Sequence, residues 1–189
     1  MLVLEKVRGI KIPTQRKKHD KSLIVLTDTK RKLNDYILML KHRKVGGIEN
    51  SPHFIISKTG KVLVLQSPTN KSNILNEKLD ENIINICLEN LGWVQKNTIT
   101  NLYYNWIGNP CRITPYTEFW RGFNNWDRYN EEQFNSLIDL SEYLCLKHDI
   151  EFKLNLFNKN QYDLKGIVSK SYFSDIYNDI NPSLKLFLK

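Results

Sequence analysis

The sequence lacks several features that would assign its class at once. Its three cysteines, Cys87, Cys111 and Cys145, form no CxxC pair, and their odd number argues against a disulfide framework. No apolar run approaches the ~20 residues that a membrane-spanning helix requires. The start of the chain becomes charged too early for a signal peptide. We therefore expect a chain that is made in the cytoplasm and stays in a reducing compartment.

Histidine is also scarce. The four histidines are His19, His42, His53 and His148, and the last 41 residues of the chain contain none. They show neither HxH nor HExxH spacing, so they predict no metal site by themselves. His53 stands at the start of a predicted hairpin, where we interpret it as a hydrogen-bonded side chain rather than a metal ligand.

The charge is plentiful but uneven. Residues 1–78 hold 17 Lys and Arg against 6 Asp and Glu, whereas residues 79–189 hold 11 against 14. A basic half can steer a protein towards nucleic acid, anionic wall polymers or an acidic protein partner. It is equally typical of a solvated, lysine-rich surface, and composition does not separate these interpretations.

The hydrophobic pattern alternates between strands and helices. Residues 23–26 predict a buried strand, 33–40 an amphipathic helix, 54–65 a hairpin and 82–88 a second buried strand. A long helix is predicted from residue 130 to 148, with apolar residues at spacings of three and four. This alternation predicts one α/β domain over the whole chain, a sheet layered by helices.

Polar residues mark the predicted helix boundaries. Thr27, Asp28 and Thr29 offer an N-cap for the first helix, and the glycines at 46–47 end it. Asn130 begins the long helix, with Gln133 placed as its capping-box partner.

Four segments, in this order, carry a resemblance. They are residues 51–62 (SPHFIISKTGKV), 84–88 (INICL), the helix opened by YNEEQ at 129–133, and 179–184 (DINPSL). Together they resemble the zinc N-acetylmuramoyl-L-alanine amidase family, which includes phage amidase-type lysozymes and peptidoglycan recognition proteins. The resemblance implies a central mixed β-sheet flanked by helices, and peptidoglycan as the substrate class.

The resemblance also implies three zinc ligands, and this chain departs from them. The first position carries Thr27 where the family has histidine. The second falls on Phe157 or Lys170, depending on the alignment, and the third is Asp179. Only Asp179 is a usable ligand type, and one carboxylate does not hold zinc. We therefore predict no metal cofactor; zinc would be the cofactor only if the ligands had been misaligned.

Accessory positions are changed as well. The family's assisting tyrosine corresponds to Pro52, and its lysine before the third ligand corresponds to Tyr177. Asp28 could supply an oxygen, but we interpret it first as a helix cap. The chain therefore has no predicted catalytic residue.

An irregular insertion at about residues 93–129 contains all four tryptophans. Its aromatic side chains can pack on one another, stack on sugars or stack on bases, and we favour packing. The interspersed Arg112, Arg121 and Arg128 keep a binding surface open as an interpretation. The candidates for binding in the former substrate groove are His53, Asp28, Asp179, Trp106, Trp120, Trp126 and Arg121.

Three functional hypotheses follow. The first is a degenerate, phage-type amidase-like protein that binds peptidoglycan or a virion partner, which would make it endolysin-like or virion-associated. The second is an active peptidoglycan amidase with unusual ligands. The third is a basic module that binds nucleic acid or protein, and it predicts binding that weakens steeply with salt.

Overall fold

The computed structural model describes residues 3–10, 18–42, 51–75, 77–157, 164–174, 176–177 and 179–188. The strands in these ranges are β1 (Leu4–Lys6), β2 (Leu23–Asp28), β3 (Phe54–Ile56), β4 (Val62–Val64), β5 (Ile83–Leu88), β6 (Gln95–Lys96), β7 (Tyr103–Tyr104), β8 (Pro110–Cys111), β9 (Tyr116–Trp120), β10 (Phe123–Trp126), β11 (Leu154–Asn155) and β12 (Gly166–Ser169). The helices are α1 (Leu33–His42), α2 (Glu77–Asp80) and α3 (Glu131–His148), and 3-10 segments lie at Lys170–Tyr172 and Pro182–Phe187. None of the helices in these ranges is long and apolar enough to cross a membrane.

The main sheet is mixed. Its strand order is β1-β4-β3-β5-β2-β12-β11. Strands β3, β5, β2, β12 and β11 run parallel to one another, and β4 is antiparallel to β3. Because β2 and β5 are covered on both faces, every residue in them is buried, as their continuous apolar runs predicted. The carboxyl ends of β2, β3, β5 and β12 consequently meet at one edge, which we call the carboxyl edge.

The predicted hairpin is confirmed. Strands β3 and β4 pair antiparallel, and Gly60 in the turn has a φ of +74°. A Cβ at Gly60 would also lie 2.7 Å from the backbone oxygen of Glu132 in α3. Both the positive φ and this close approach require glycine.

Helix α3 covers one face of the sheet, and its predicted start is confirmed. The Asn130 side chain accepts a hydrogen bond from the Gln133 backbone N–H at 3.1 Å. The Gln133 side chain does not complete a capping box, because its amide donates to the backbone oxygens of Ile56 and Glu89, both at 3.0 Å. The glutamine therefore joins α3 to the ends of β3 and β5.

Asp28 is not the cap that the sequence predicted for α1. It is the last residue of β2, and α1 begins at Leu33. The carboxylate that accepts from the Leu33 N–H, at 2.8 Å, belongs to Glu89. The predicted end of this helix at residues 46–47 lies outside the described residues.

The insertion forms two small sheets, β6-β7-β8 and β9-β10. Trp126 is completely buried and donates its indole N–H to the backbone oxygen of Glu118 at 2.9 Å. Trp120 packs at 5.3 Å from Trp126 and at 6.5 Å from Phe157, measured between ring centroids. Much of the aromatic content therefore serves packing, although Trp106 and Phe119 remain exposed.

Candidate functional site

Two buried carboxylates meet at the carboxyl edge. Asp28 ends β2, and Asp179 lies in the segment before the last 3-10 turn. The Asp28 backbone N–H donates to Asp179 Oδ1 at 3.0 Å, and the Ile180 N–H donates to Asp28 Oδ2 at 3.1 Å. We call Asp28 and Asp179 the acidic pair.

Two further side chains bond to the acidic pair. Lys30 Nζ lies 3.2 Å from Asp28 Oδ2, and the Tyr129 hydroxyl donates to Asp28 Oδ1 at 2.6 Å. The Asn181 N–H in turn donates to the Tyr129 oxygen at 3.3 Å. Each Asp28 oxygen therefore has at least one donor, and a lysine ammonium supplies the positive charge beside it.

Burial dominates the electrostatics of this group. It raises the pKa of the Asp28 carboxyl, and the nearby Lys30 ammonium opposes that rise. Burial, together with the Asp28 charge, also raises the pKa of Tyr129 well above its ordinary value. Tyr129 is therefore a hydrogen-bond donor at neutral pH and not a base.

The three implied ligand positions do not fit zinc. Thr27 Oγ1 accepts from the Asn85 side-chain amide at 3.1 Å. For the second position, Phe157 packs beside Trp120, and Lys170 Nζ lies 4.3 Å above the Tyr177 ring. At the third, Asp179 Oδ1 accepts from the Asp28 backbone N–H at 3.0 Å, and the Asp28 carboxylate is itself bonded to Lys30 and Tyr129.

Metal-ligating side chains elsewhere in the described residues are scattered. In those ranges no group of three or more His, Cys, Asp and Glu side chains is placed to hold a metal ion. A zinc site needs three protein ligands and one open position. The chemistry of this donor set does not match that requirement.

Several predicted groove residues are buried instead. His53 is fully buried: its Nδ1 accepts from the Asn85 N–H at 2.9 Å, and its Nε2 donates to the Asn70 oxygen at 3.0 Å. Both ring nitrogens are therefore used by the backbone, and burial lowers the pKa of His53 to about 3. Trp126 is buried in the same way, and Pro52 lies in the interior beside His53. None of these three residues faces a groove.

Arg121 fastens the insertion to the C-terminal segment. Its guanidinium donates to the backbone oxygens of Ser171, Ser174 and Tyr177 at 2.7–2.8 Å. Trp120 lies 5.1 Å from the same guanidinium. Both residues therefore position the insertion, while Trp106 stays exposed and stacks with Arg31 at 5.7 Å.

A cavity of about 430 Å³ opens at the carboxyl edge, next to the acidic pair. Its charged lining consists of Lys32, Lys58, Arg112, Arg128, Glu89 and Asp127. We call this cavity the basic pocket, because four basic side chains line it against two acidic ones. Asn90 connects it to the acidic pair region, since the Asn181 side chain donates to Asn90 Oδ1 at 3.1 Å.

Sequence reasoning found only part of this pocket. Arg112 and Arg128 stand out among the aromatics of the insertion, but Lys32, Lys58, Glu89 and Asp127 were not candidates. The sequence does contain a signal for the other residues. Lys58 comes two residues after β3 and Glu89 directly after β5, and the carboxyl ends of these parallel strands meet at one edge. Side chains in that position are the usual lining of a site in an α/β sheet.

This arrangement of a mixed sheet covered by a long helix is similar to the fold of solved amidases. The N-acetylmuramoyl-L-alanine amidase LysC from Clostridium intestinale URNW superposes with a TM-score of 0.52 at 15% identity, covering 89% of this chain and 83% of LysC. The endolysin amidase LysCS from the same organism gives 0.49 at 15% identity, with 89% and 81% covered. AmiD from E. coli, solved with anhydro-N-acetylmuramic acid-L-Ala-D-gamma-Glu-L-Lys, gives 0.49 at 14% identity, with 75% of this chain and 49% of AmiD covered.

The chain therefore has an amidase-type fold, as its resemblance predicted. The sequence itself matches no family model and no curated protein. At these identities the likeness extends to the fold, and any activity has to be argued from the site.

Proposed function

We propose that this protein is an amidase-fold binding protein that holds peptidoglycan or its fragments without hydrolysing them. The observation that carries the proposal is that both carboxylate oxygens of Asp28, in the acidic pair, already have partners within the chain. Next to Asp179, the third implied ligand position, Asp28 is bonded to Lys30, to Tyr129 and to the Ile180 N–H.

The loss of hydrolysis follows from what the reaction needs. Cleavage of an amide by this class of enzyme requires a polarised carbonyl and an activated water, which a zinc ion with an open coordination position supplies. Asp179, the one implied ligand of a usable type, accepts from the Asp28 backbone N–H at 3.0 Å, and the Asp28 carboxylate beside it is paired with Lys30 Nζ at 3.2 Å. A fixed ammonium has no open coordination position and activates no water.

Binding is supported by the basic pocket. Its volume of about 430 Å³ is that of a typical small-ligand site. It lies at the carboxyl edge, where α/β proteins place their ligands. Peptidoglycan as the ligand class is supported by the amidase-type fold. The phage or virion setting rests on the sequence resemblance alone.

The test combines three measurements on the full chain. Metal content is determined after incubation with zinc and desalting. Sedimentation with purified peptidoglycan sacculi is measured at two salt concentrations, and released muropeptides are quantified by chromatography, with an active zinc amidase as the positive control. We expect no bound zinc, no release, and sedimentation that persists at the higher salt.

Other results would overturn specific parts of the proposal. Stoichiometric zinc with released stem peptide would make the protein an active amidase. Failure to sediment would remove peptidoglycan as the partner. Preferential, salt-sensitive binding to DNA would instead support the nucleic-acid hypothesis that the basic half of the sequence raised.

A further inference from the structure

We propose that the basic pocket is a binding site for a small organic anion, a single carboxylate or phosphate group on an apolar body. This inference goes beyond the proposed function, because it does not require the anion to come from peptidoglycan. It depends on which charges in the pocket are already neutralised and which are not.

Glu89 is committed to the backbone. Its Oε1 accepts from the Leu33 N–H and its Oε2 from the Lys58 N–H, both at 2.8 Å. Each carboxylate oxygen therefore has a fixed donor from a neighbouring segment. Glu89 holds the start of α1 and the β3–β4 turn in place, and among the described residues it forms no ion pair with Arg112 or Arg128.

Asp127 and Lys58 neutralise each other. Lys58 Nζ lies 2.9 Å from Asp127 Oδ2, and it also donates to the backbone oxygen of Arg128. The same Asp127 oxygen accepts from the Leu91 N–H at 2.9 Å, and the Cys111 thiol lies 3.7 Å from Oδ1. This ion pair therefore forms part of the pocket wall.

Three cations are left over. In the ranges that the structure describes, Lys32, Arg112 and Arg128 line the pocket without a carboxylate partner. Arg128 also has a buried Nε with no hydrogen-bond partner among the described residues. Because a buried donor without an acceptor is unfavourable, an oxyanion bonded to this guanidinium would add a hydrogen bond to the charge attraction.

The rest of the lining suits an apolar body. Leu91, Pro110 and Ile113 lie on the insertion side of the pocket, and Ile113 is half exposed. Arginine prefers planar or tetrahedral oxyanions because its donors match their geometry. The pocket therefore fits a ligand with one oxyanion group and a short aliphatic portion.

The test uses a matched pair of ligands. Titration of the full chain with N-acetyl-L-leucine, followed by amide chemical shifts or calorimetry, is compared with N-acetyl-L-leucinamide, which differs only in the missing charge. We expect the carboxylate to bind at least about tenfold more tightly, since a hydrogen bond to a charged group is worth that much. Inorganic phosphate and isobutyl phosphate form a second pair that distinguishes a phosphate site from a carboxylate site.

Variants locate the site. Arg112→Gln and Arg128→Gln are each expected to weaken carboxylate binding about tenfold. Lys96→Gln, an exposed cation on the same insertion that does not line this pocket, is the matched control and should leave affinity unchanged. Unfolding midpoints measured in parallel identify any variant that loses affinity because it fails to fold, and the exposed Arg112 is the safer of the two.

The outcomes are decisive in both directions. Equal binding of the acid and the amide, or equal loss in the Lys96→Gln control, would overturn the inference. Binding of the organic anions by a protein that does not sediment with sacculi would support it while removing the proposed peptidoglycan function. Carboxylate binding that is unchanged in both Arg112→Gln and Arg128→Gln would overturn this pocket as the anion site.

Discussion

The acidic pair and the basic pocket lie side by side at the carboxyl edge, but their charged side chains differ in whether they have partners within the chain. Asp28 is completely enclosed, and Lys30, Tyr129 and the Ile180 N–H occupy both of its oxygens. In the basic pocket, Lys32, Arg112 and Arg128 surround open space. A group with all its partners inside the chain contributes to stability, whereas a group without them is available to a ligand.

The two regions are joined by Tyr129. Its hydroxyl bonds to Asp28, and Lys58 Nζ from the pocket wall lies 5.8 Å from its ring centroid. We therefore expect substitutions in the acidic pair to change stability and substitutions in the basic pocket to change binding.

The largest effect is expected at Lys30. Lys30→Met removes the cation from an enclosed carboxylate, and breaking a buried ion pair destabilises by ~3 kcal/mol. Urea unfolding measures the change. Lys61→Met is the matched control, because Lys61 pairs with Glu5 at 2.6 Å with both side chains about half exposed, and such a pair contributes at most ~1 kcal/mol. A similar loss of stability in the two variants would show that Lys30 does not form an enclosed ion pair with Asp28. The double variant Lys30→Met with Asp28→Asn should recover part of the loss.

The next effect is a dependence of stability on pH, caused by the buried His53. His53 is neutral when folded, because burial lowers its pKa from 6.5 to about 3. Below pH 6.5 the unfolded chain binds a proton that the folded chain does not, so stability falls as pH falls from about 6.5 towards 3, by up to ~1.4 kcal/mol per pH unit. Urea unfolding between pH 7 and pH 5 should show a steeper slope for the wild type than for His53→Gln. Equal slopes would mean that His53 takes up its proton in the folded state.

A smaller effect is expected at the tyrosine that joins the two regions. Tyr129→Phe keeps the ring but removes the hydroxyl that donates to Asp28 at 2.6 Å. One hydrogen bond to a carboxylate is worth ~1.5–3 kcal/mol, so stability should fall by about that amount. Tyr143→Phe on the exposed face of α3 is the control, since its hydroxyl accepts from exposed Lys147 and its removal should change stability by less than ~0.5 kcal/mol. No loss for Tyr129→Phe would show that Asp28 finds another donor.

The fold could be predicted because its signals are local. The apolar runs of β2 and β5, the turn at Gly60 and the cap at Asn130 each depend on neighbours within a few residues. The amidase resemblance adds the order of these elements. Short-range pattern therefore sufficed for the sheet, the hairpin and α3.

The site could be predicted only in part, because its contacts span the chain. Asp28 finds Tyr129 101 residues away and Asp179 151 residues away, so the sequence suggested a cap where the structure has a buried ion pair. His53 was expected beside a groove, yet its nitrogens serve the backbone of residues 70 and 85. The absence of histidine at the implied ligand positions could be read from the sequence, but the pairing of Lys30 with Asp28 could not.

The smallest effect on stability is expected in the basic pocket. It tests most directly whether the pocket differs from the acidic pair. Arg112 is exposed and has no carboxylate partner in the described part of the chain, so Arg112→Gln should change the free energy of unfolding by less than ~0.5 kcal/mol. Removal of a repelling cation near Arg128 and Lys32 can even stabilise the fold slightly, because like charges at short range disfavour each other. The same urea protocol used for Lys30→Met provides the measurement. A destabilisation comparable with that of Lys30→Met would show that Arg112 has structural partners and that the pocket is as closed as the acidic pair. Unchanged stability together with lost anion binding is the pattern of a residue kept for a ligand and not for the fold.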